Sequence, residues 1–251
     1  MFLIDRLRKS SELVDYAYRG IRNVGAGNVA RTLLYKPRMS WWRWRYGGPA
    51  GQKSTIQPGA VTAIEEREDG LLLRLAHGVC TVHVIAPHML RVRVVPGDVM
   101  PEYFSYATLP EAVRSIPWQW HETDQNIRIE TTGATLLIDK APFGIRLEDA
   151  TGHSLGAGTE TLGWDKRGAF FSQKFDESTW WYGLGERAFH LALERRTYGL
   201  ATRDPEGYSP GDDPLYINIP FLLGVQQGRA FGLLLDRMSN GELTLRPDGG
   251  V

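Results

Sequence analysis

From Val61 onward the chain is written in short runs with a two-residue hydrophobic period, each closed by turn residues. Residues 71–75 are apolar but for Arg74 and follow Asp69-Gly70, a dipeptide that favours a tight hairpin. In residues 79–84, Cys80, Val82 and Val84 fall on one face of an extended strand while Thr81 and His83 fall on the other. Arg91 and Arg93 alternate with Leu90, Val92 and Val94 in the same way. Residues 127–130, 134–138 and 145–148 continue the series, broken by Thr132-Gly133 and Ala141-Pro142. Residues 230–236 and 242–245 read as its last strands. Helical periodicity is nearly absent after residue 60, so the pattern predicts an all-β fold, a β-sandwich.

The first fifty-odd residues have a different character. Leu3, Leu7, Val14, Tyr18 and Ile21 recur near helical spacing, with Arg6, Arg8, Lys9 and Glu12 between them, and Gly25-Ala26-Gly27 follows. This predicts a basic amphipathic helix, which either packs on a neighbouring domain or lies on a membrane surface; packing is the ordinary role. Trp41, Trp42, Arg43, Trp44, Arg45 and Tyr46 interleave aromatic rings with guanidinium groups. Such a strand can stack on sugars, bases or lipid headgroups, or cover a sheet edge. Residues 49–58 read as a linker, which divides the chain into a helical, basic extension (1–58) and a sandwich (59–251).

Charge sharpens that division. Residues 1–50 hold eight arginines and two lysines against Asp5, Glu12 and Asp15, a net +7, and the remainder carries −7. The balanced total argues against nucleic acid as a partner of the whole chain. Cys80 is the lone cysteine, so no internal disulfide can form, which fits a reducing compartment. Phe2-Leu3-Ile4 meets Asp5 too soon for a secretory signal, and no apolar stretch approaches a membrane span, so a cytoplasmic location is expected. The six histidines are scattered without metal-ligand spacing, and no phosphate-binding glycine loop is present; neither a metal nor a cofactor is expected.

Residues 180–224 are the densest in motifs. Trp180-Trp181-Tyr182-Gly183-Leu184-Gly185-Glu186 opens the stretch, Arg203-Asp204-Pro205 lies in its middle, and Leu215-Tyr216-Ile217-Asn218-Ile219-Pro220-Phe221-Leu222 closes it. Physically these are two strand-like runs joined by a long polar loop whose corners are set by glycine and proline. A long loop inside a compact domain is uncommon and usually functional or disordered. Pro205 holds the preceding Asp204 in an extended or turn geometry that suits presenting a side chain. The order and spacing of these motifs resembles the N-terminal domain of glycoside hydrolase family 31, the retaining α-glucosidases and α-xylosidases. In that family a Tyr/Phe-Gly-Leu-Gly-Glu motif precedes a loop with an Arg-Asp or Asn-x-Asp element, and a Leu-Tyr-x-x-Ile-Pro-Phe-Leu strand follows. The likeness extends upstream through residues 89–94 and 142–145.

The resemblance implies a galactose-mutarotase-like β-sandwich in front of a catalytic (β/α)-barrel. It implies that both catalytic aspartates lie on the barrel, some 5 Å apart as retention requires. A barrel needs about 250 residues of strand–helix units, which this chain lacks, so it is expected to be a fragment with no catalytic residue of its own. The implied contribution of the sandwich is a wall of the substrate pocket. Asp204 matches the aspartate that hydrogen-bonds sugar hydroxyls, and a carboxylate can accept from two vicinal hydroxyls at once. Arg203 stands beside it. The alternative for Asp204 is a pair with Arg203 or a local turn cap. Glu186 is read as closing a turn, with Gly183 and Gly185 allowing tight backbone. Trp180, Trp181 and Tyr182 are read as aromatic core before sugar platform, and Asp212-Asp213 as a solvated turn. The implied partners are an α-linked oligosaccharide or glycoside and the barrel of the same protein. Two other functions fit the fold: a stand-alone, non-catalytic carbohydrate-binding sandwich, and an aldose epimerase, for which no His–carboxylate pair can be assigned.

Overall fold

In the computed structural model, the described residues are 55–251 except 103, 108–115, 167, 206 and 237–239, with scattered positions between 18 and 34. The chain divides into two compact units, Met1–Lys53 and Ser54–Val251. In the first, Tyr18, Arg19 and residues 21–23 are helical and exposed; Gly25 leaves the helix at φ 85°, and helical residues resume at Gly27. The earlier part of the expected amphipathic helix and the aromatic–arginine run 41–46 lie outside the described residues, as does most of the expected linker. No helix among the described residues is long and apolar enough to cross a membrane.

The second unit is the predicted sandwich. Strands β1 (Val61–Arg67), β2 (Gly70–Leu75), β3 (Gly78–Ala86) and β4 (Met89–Val95) form one antiparallel sheet in chain order. Strands β5 (Trp118–Glu122), β6 (Asn126–Thr131), β7 (Ala134–Lys140) and β8 (Phe143–Asp149) form a second of the same kind. The β1–β2 turn is Glu68-Asp69, since Arg67 pairs with Gly70; the expected hairpin is there, one residue earlier than Asp69-Gly70 suggests. The alternation in β3 places Cys80, Val82 and Val84 in the core with Leu71 and Leu73, packed against Ile127, Ile129, Leu136 and Ile138 of the second sheet. Arg91 and Arg93 of β4 turn the other way: Arg91 pairs with Asp236 and Arg93 donates to the Pro101 carbonyl. Burial pushes the Cys80 thiol up to about 12, leaving it a small apolar side chain.

The remaining strands pair less locally. Strands β9 (Gly158–Asp165) and β10 (Gly168–Lys174) form a hairpin. Strand β11 (Trp180–Gly185) pairs with β13 (Asn218–Gln226), which pairs in turn with β14 (Arg229–Leu234). Strand β12 (Thr197–Leu200) pairs with β15 (Gly241–Thr244). Their core is aromatic: the Phe175 and Phe231 rings stack at 5.2 Å, and Trp181 meets both edge-on at 4.9 and 5.6 Å. Leu147 of β8 packs against this cluster and against the first. Asp149, at the end of β8, accepts hydrogen bonds from the Thr151 hydroxyl and from Arg229 Nε at 2.9 Å, tying β8 to β14. The Thr151 hydroxyl first, then the His153 backbone N–H, hold its carboxyl well below the usual range, with Arg229 a smaller contributor.

Candidate functional site

The motif-rich stretch folds as two adjacent strands and the connection between them. Trp180 to Gly183 pair with Val225 back to Leu222, and then the register jumps: Gly183 faces Leu222, but Gly185 faces Asn218. Two steps along β11 cover four along β13, so β13 bulges beside the Gly-Leu-Gly turn. Both glycines have positive φ, 110° and 82°. A Cβ on Gly183 would stand 2.4 Å from the Phe221 carbonyl oxygen, and one on Gly185 equally close to that of Ile217. Glycine is therefore required at both by conformation and by close approach. Leu184 between them also adopts a left-handed φ of 65°, a strain that full burial of its side chain holds in place. Glu186 then donates its backbone N–H to the Ile217 carbonyl at 2.8 Å, closing the turn as expected. The three aromatic residues split: Trp181 is core, whereas Trp180 is 62 % exposed and Tyr182 half-buried.

The connection is not one uninterrupted loop, because β12 occupies Thr197–Leu200. What remains is a segment over residues 186–196 and a loop over residues 201–217. Arg203 donates its backbone N–H to the Leu215 carbonyl at 2.9 Å, and the Tyr216 hydroxyl donates to the Pro205 carbonyl at 3.1 Å. Asp204 lies between these two fastenings. Its side chain is exposed and makes no hydrogen bond or ion pair with any described residue, Arg203 included. The alternative of a structural Arg203–Asp204 pair is thus absent from this geometry.

The loop is held from beneath by a group that motif reading missed. Arg187 Nη1 lies 2.9 Å from Asp213 Oδ1, with the two side chains only 4 % and 7 % exposed. Arg187 Nη2 donates to the Gly199 carbonyl at 3.0 Å and to Asn218 Oδ1 at 3.1 Å, and Asp213 Oδ2 accepts from the Gly199 N–H at 2.6 Å. One guanidinium therefore ties the residues flanking the loop, Gly199 and Asn218, to an aspartate within it. The Nη1–Oδ1 contact is close without hydrogen-bond alignment, so charge holds it. Burial lowers the Arg187 pKa and the Asp213 carboxylate partly restores it. This corrects the reading of Asp212-Asp213 as a solvated turn. Asp212 fits it: it is exposed and accepts from the Ser209 N–H at 2.8 Å. Asp213 is buried because Arg187 needs a counter-charge there. Only the adjacency of two carboxylates before a proline was visible in the sequence, and that pattern does not say which of them turns inward.

A cavity of about 510 Å³ lies beside the loop, lined by Phe189, His190, Glu194, Arg196, Tyr208 and Pro210 among others. Arg196 stacks on the Phe189 ring at 4.2 Å. Neither Arg203 nor Asp204 lines it. Among the described residues no group of three or more His, Cys, Asp and Glu side chains is placed to hold a metal.

The sequence profile of the glycosyl hydrolase 31 N-terminal galactose mutarotase-like domain matches residues 79–243, well over half of the chain. The chain belongs to that family. This family 31 domain is similar to alpha-glucosidase 2 of Bacillus thermoamyloliquefaciens, with 29% identity over 119 residues, 46% of the chain and 15% of the relative. It is also similar to an alpha-glucosidase of Saccharolobus solfataricus, with 39% identity over 57 residues, 23% of the chain and 8% of that protein. In fold it is similar to a family 31 dextranase of Flavobacterium johnsoniae solved with isomaltotriose: TM-score 0.67, 18% identity, 78% of this chain and 26% of that one. It is similar as well to a cycloalternan-forming enzyme of Listeria monocytogenes solved with a pentasaccharide substrate: TM-score 0.59, 16% identity, 68% of this chain and 17% of that one. The chain thus spans 15% of the first curated relative and 26% of the dextranase chain.

Proposed function

We propose that this domain is the pocket-forming N-terminal portion of a retaining α-glycosidase that hydrolyses O-glycosyl bonds of α-glucosides or α-xylosides. The catalytic carboxylates belong to the barrel of the same protein, and the domain's part is to orient substrate. Asp204 carries that part, with Arg203 beside it. The observation behind the reading is an exposed carboxylate with no partner among the described residues, on a loop pinned at both ends within a family 31 domain. A carboxylate kept free and positioned in this way is ready to accept from vicinal sugar hydroxyls without first breaking an internal bond.

The test is Asp204→Ala in the full-length protein, assayed on an aryl α-glucoside and an aryl α-xyloside. Loss of a charge-assisted hydrogen bond costs about 1.5–3 kcal/mol, so kcat/KM is expected to fall roughly ten- to a hundredfold. Thermal stability should be unchanged within error, because the side chain supports no packing. Unchanged kcat/KM with a lowered melting temperature would remove Asp204 from the pocket.

A further inference from the structure

A cavity of about 530 Å³ between the β7–β8 turn and β9 and the cavity of about 510 Å³ beside the loop differ in whether their polar groups are already engaged. In the first, Arg146 pairs with Asp139 at 3.0 Å, Lys140 bonds to Glu122, and Glu160 is held by Arg246 and the Ser172 hydroxyl. In the second, the side chains of His190, Glu194 and Arg196 and the Tyr208 hydroxyl make no hydrogen bond or ion pair with any described residue. Their backbones are nevertheless fixed. Arg196 stacks on Phe189 and lies 5.8 Å from the Tyr198 ring, and Tyr198 is fully buried with its hydroxyl donated to the Glu194 carbonyl at 3.0 Å. On the other wall Tyr208 meets Tyr216 edge-on at 6.4 Å, and the Gly211 N–H donates to the Ala188 carbonyl at 2.8 Å, joining the two walls.

We infer that the cavity beside the loop is a saccharide-binding site of the domain itself. The chemistry of the lining selects that ligand. One carboxylate and one guanidinium leave no net charge to draw an ion, and among the described residues no metal-holding group exists. An apolar ligand would strip Glu194 and Arg196 of water and return no hydrogen bond. An uncharged sugar satisfies both demands: its hydroxyls donate to Glu194 and accept from Arg196, and its C–H face rests on the Tyr208 ring, which is 54 % exposed. The volume falls within the roughly 300–1,000 Å³ usual for small-molecule sites. Groups held in place without internal partners bind without first breaking a bond. The site does not include Arg203 or Asp204, which do not line the cavity. Its existence rests on the cavity, and only the choice of an α-linked glucan as ligand rests on the proposed function.

Saturation-transfer NMR of the 251-residue chain with maltotriose and with isomaltotriose tests it, with thermal unfolding to show that each variant is folded. Transfer to the sugar ring protons is expected. Glu194→Gln should weaken binding roughly tenfold, through loss of one charge-assisted hydrogen bond. Tyr208→Ala leaves the charged groups in place and should weaken it several-fold. Both side chains are exposed, so neither change threatens the fold. No transfer to either sugar from a folded chain overturns the inference. Binding that neither variant weakens lies elsewhere on the domain and overturns it too. Displacement of the sugar by an equal concentration of inorganic phosphate would make Arg196 and His190 an anion site, again overturning it. Binding weakened by both variants, in a domain whose full-length protein hydrolyses no α-glycoside, upholds the cavity and refutes the proposed activity. Hydrolysis that falls with Asp204→Ala, together with no sugar bound by the folded chain, refutes the cavity alone.

Discussion

The strands up to β8 and those from β11 onward solve the same packing problem differently. In the first half the strand order within each sheet is the chain order, and tight turns such as Glu68-Asp69, Thr132-Gly133 and Ala141-Pro142 set each register. Its core is mostly aliphatic, with Phe143 and the rings of Trp118 and Trp120 at its margin, and its outward faces carry arginines and carboxylates. In the second half β11 skips to β13 and β12 skips to β15, so the connections must be long. Its core is built on Trp181, Phe175 and Phe231, a buried ion pair sits under its loop, and one sheet face is apolar on the outside. Local pairing makes a scaffold whose registers are set between neighbouring strands. Non-local pairing leaves chain over for a presented loop, and that loop then has to be held by other means.

The largest effect should come from breaking that hold. Arg187→Leu leaves the Asp213 carboxylate buried without its counter-charge, a change that costs about 3–5 kcal/mol. Denaturant unfolding of the purified protein measures it. Arg187→Lys should recover little, because an ammonium cannot reach Asp213, the Gly199 carbonyl and Asn218 together. A cost below about 1 kcal/mol for Arg187→Leu would mean that water replaces the guanidinium, and the contrast between the halves would lose its main support.

Much of the first half was legible because every cue there is local. Alternation placed Cys80, Val82 and Val84 in the core, and the turn dipeptides marked the hairpins to within a residue. Strands β5, β9, β10 and β12 were not read: Gly168–Lys174 carries polar or small residues where a period of two needs apolar ones, and in Trp118–Glu122 the alternation of Trp118 and Trp120 spans too few residues to stand out. In the second half the motifs located the elements but not their contacts. Gly183 and Gly185 announced tight backbone, yet the bulge in β13 depends on a partner some forty residues away. Arg187 carries no signal in sequence: its three partners come from positions 199, 213 and 218, which only the tertiary fold assembles. Asp204 was found through family resemblance, and the structure adds that its carboxylate is exposed and unpaired among the described residues.

A smaller effect separates conformational strain from close approach. Gly185→Ala must both adopt φ near 82° and place a methyl group 2.4 Å from the Ile217 carbonyl oxygen. Gly97→Ala faces a similar φ of 86° with nothing within 4 Å. The second should cost about 1–2 kcal/mol, the left-handed penalty alone. The first should cost more, because the β11–β13 register must shift to admit the methyl group. Equal losses in thermal unfolding would show that the bulge is soft and that β11 and β13 are not locked together at this turn.

The smallest effect belongs to the charged outward face of the first half. Arg128 Nε pairs with Glu130, and its Nη1 lies 3.4 Å from Glu148 Oε2, on a surface where the arginine is 40 % exposed. The Arg128 guanidinium, helped by a 2.8 Å hydrogen bond from Gln119, holds the Glu130 carboxyl below its ordinary value. A carboxyl lowered in the folded state stabilises the fold fully above its unfolded value, about 4.3, and loses that contribution as pH falls through the folded value. At neutral pH the pair is therefore at full strength, yet water and salt screen it. Arg128→Gln is expected to change stability by less than about 1 kcal/mol at pH 7, with the difference from the parent shrinking as pH falls below about 4. Thermal unfolding at both pH values, in low and high salt, provides the check. A pH 7 loss approaching that of Arg187→Leu would show that both halves depend equally on their charges. A small loss, reduced further by salt, leaves the buried pair beneath the loop as the electrostatic anchor of the domain.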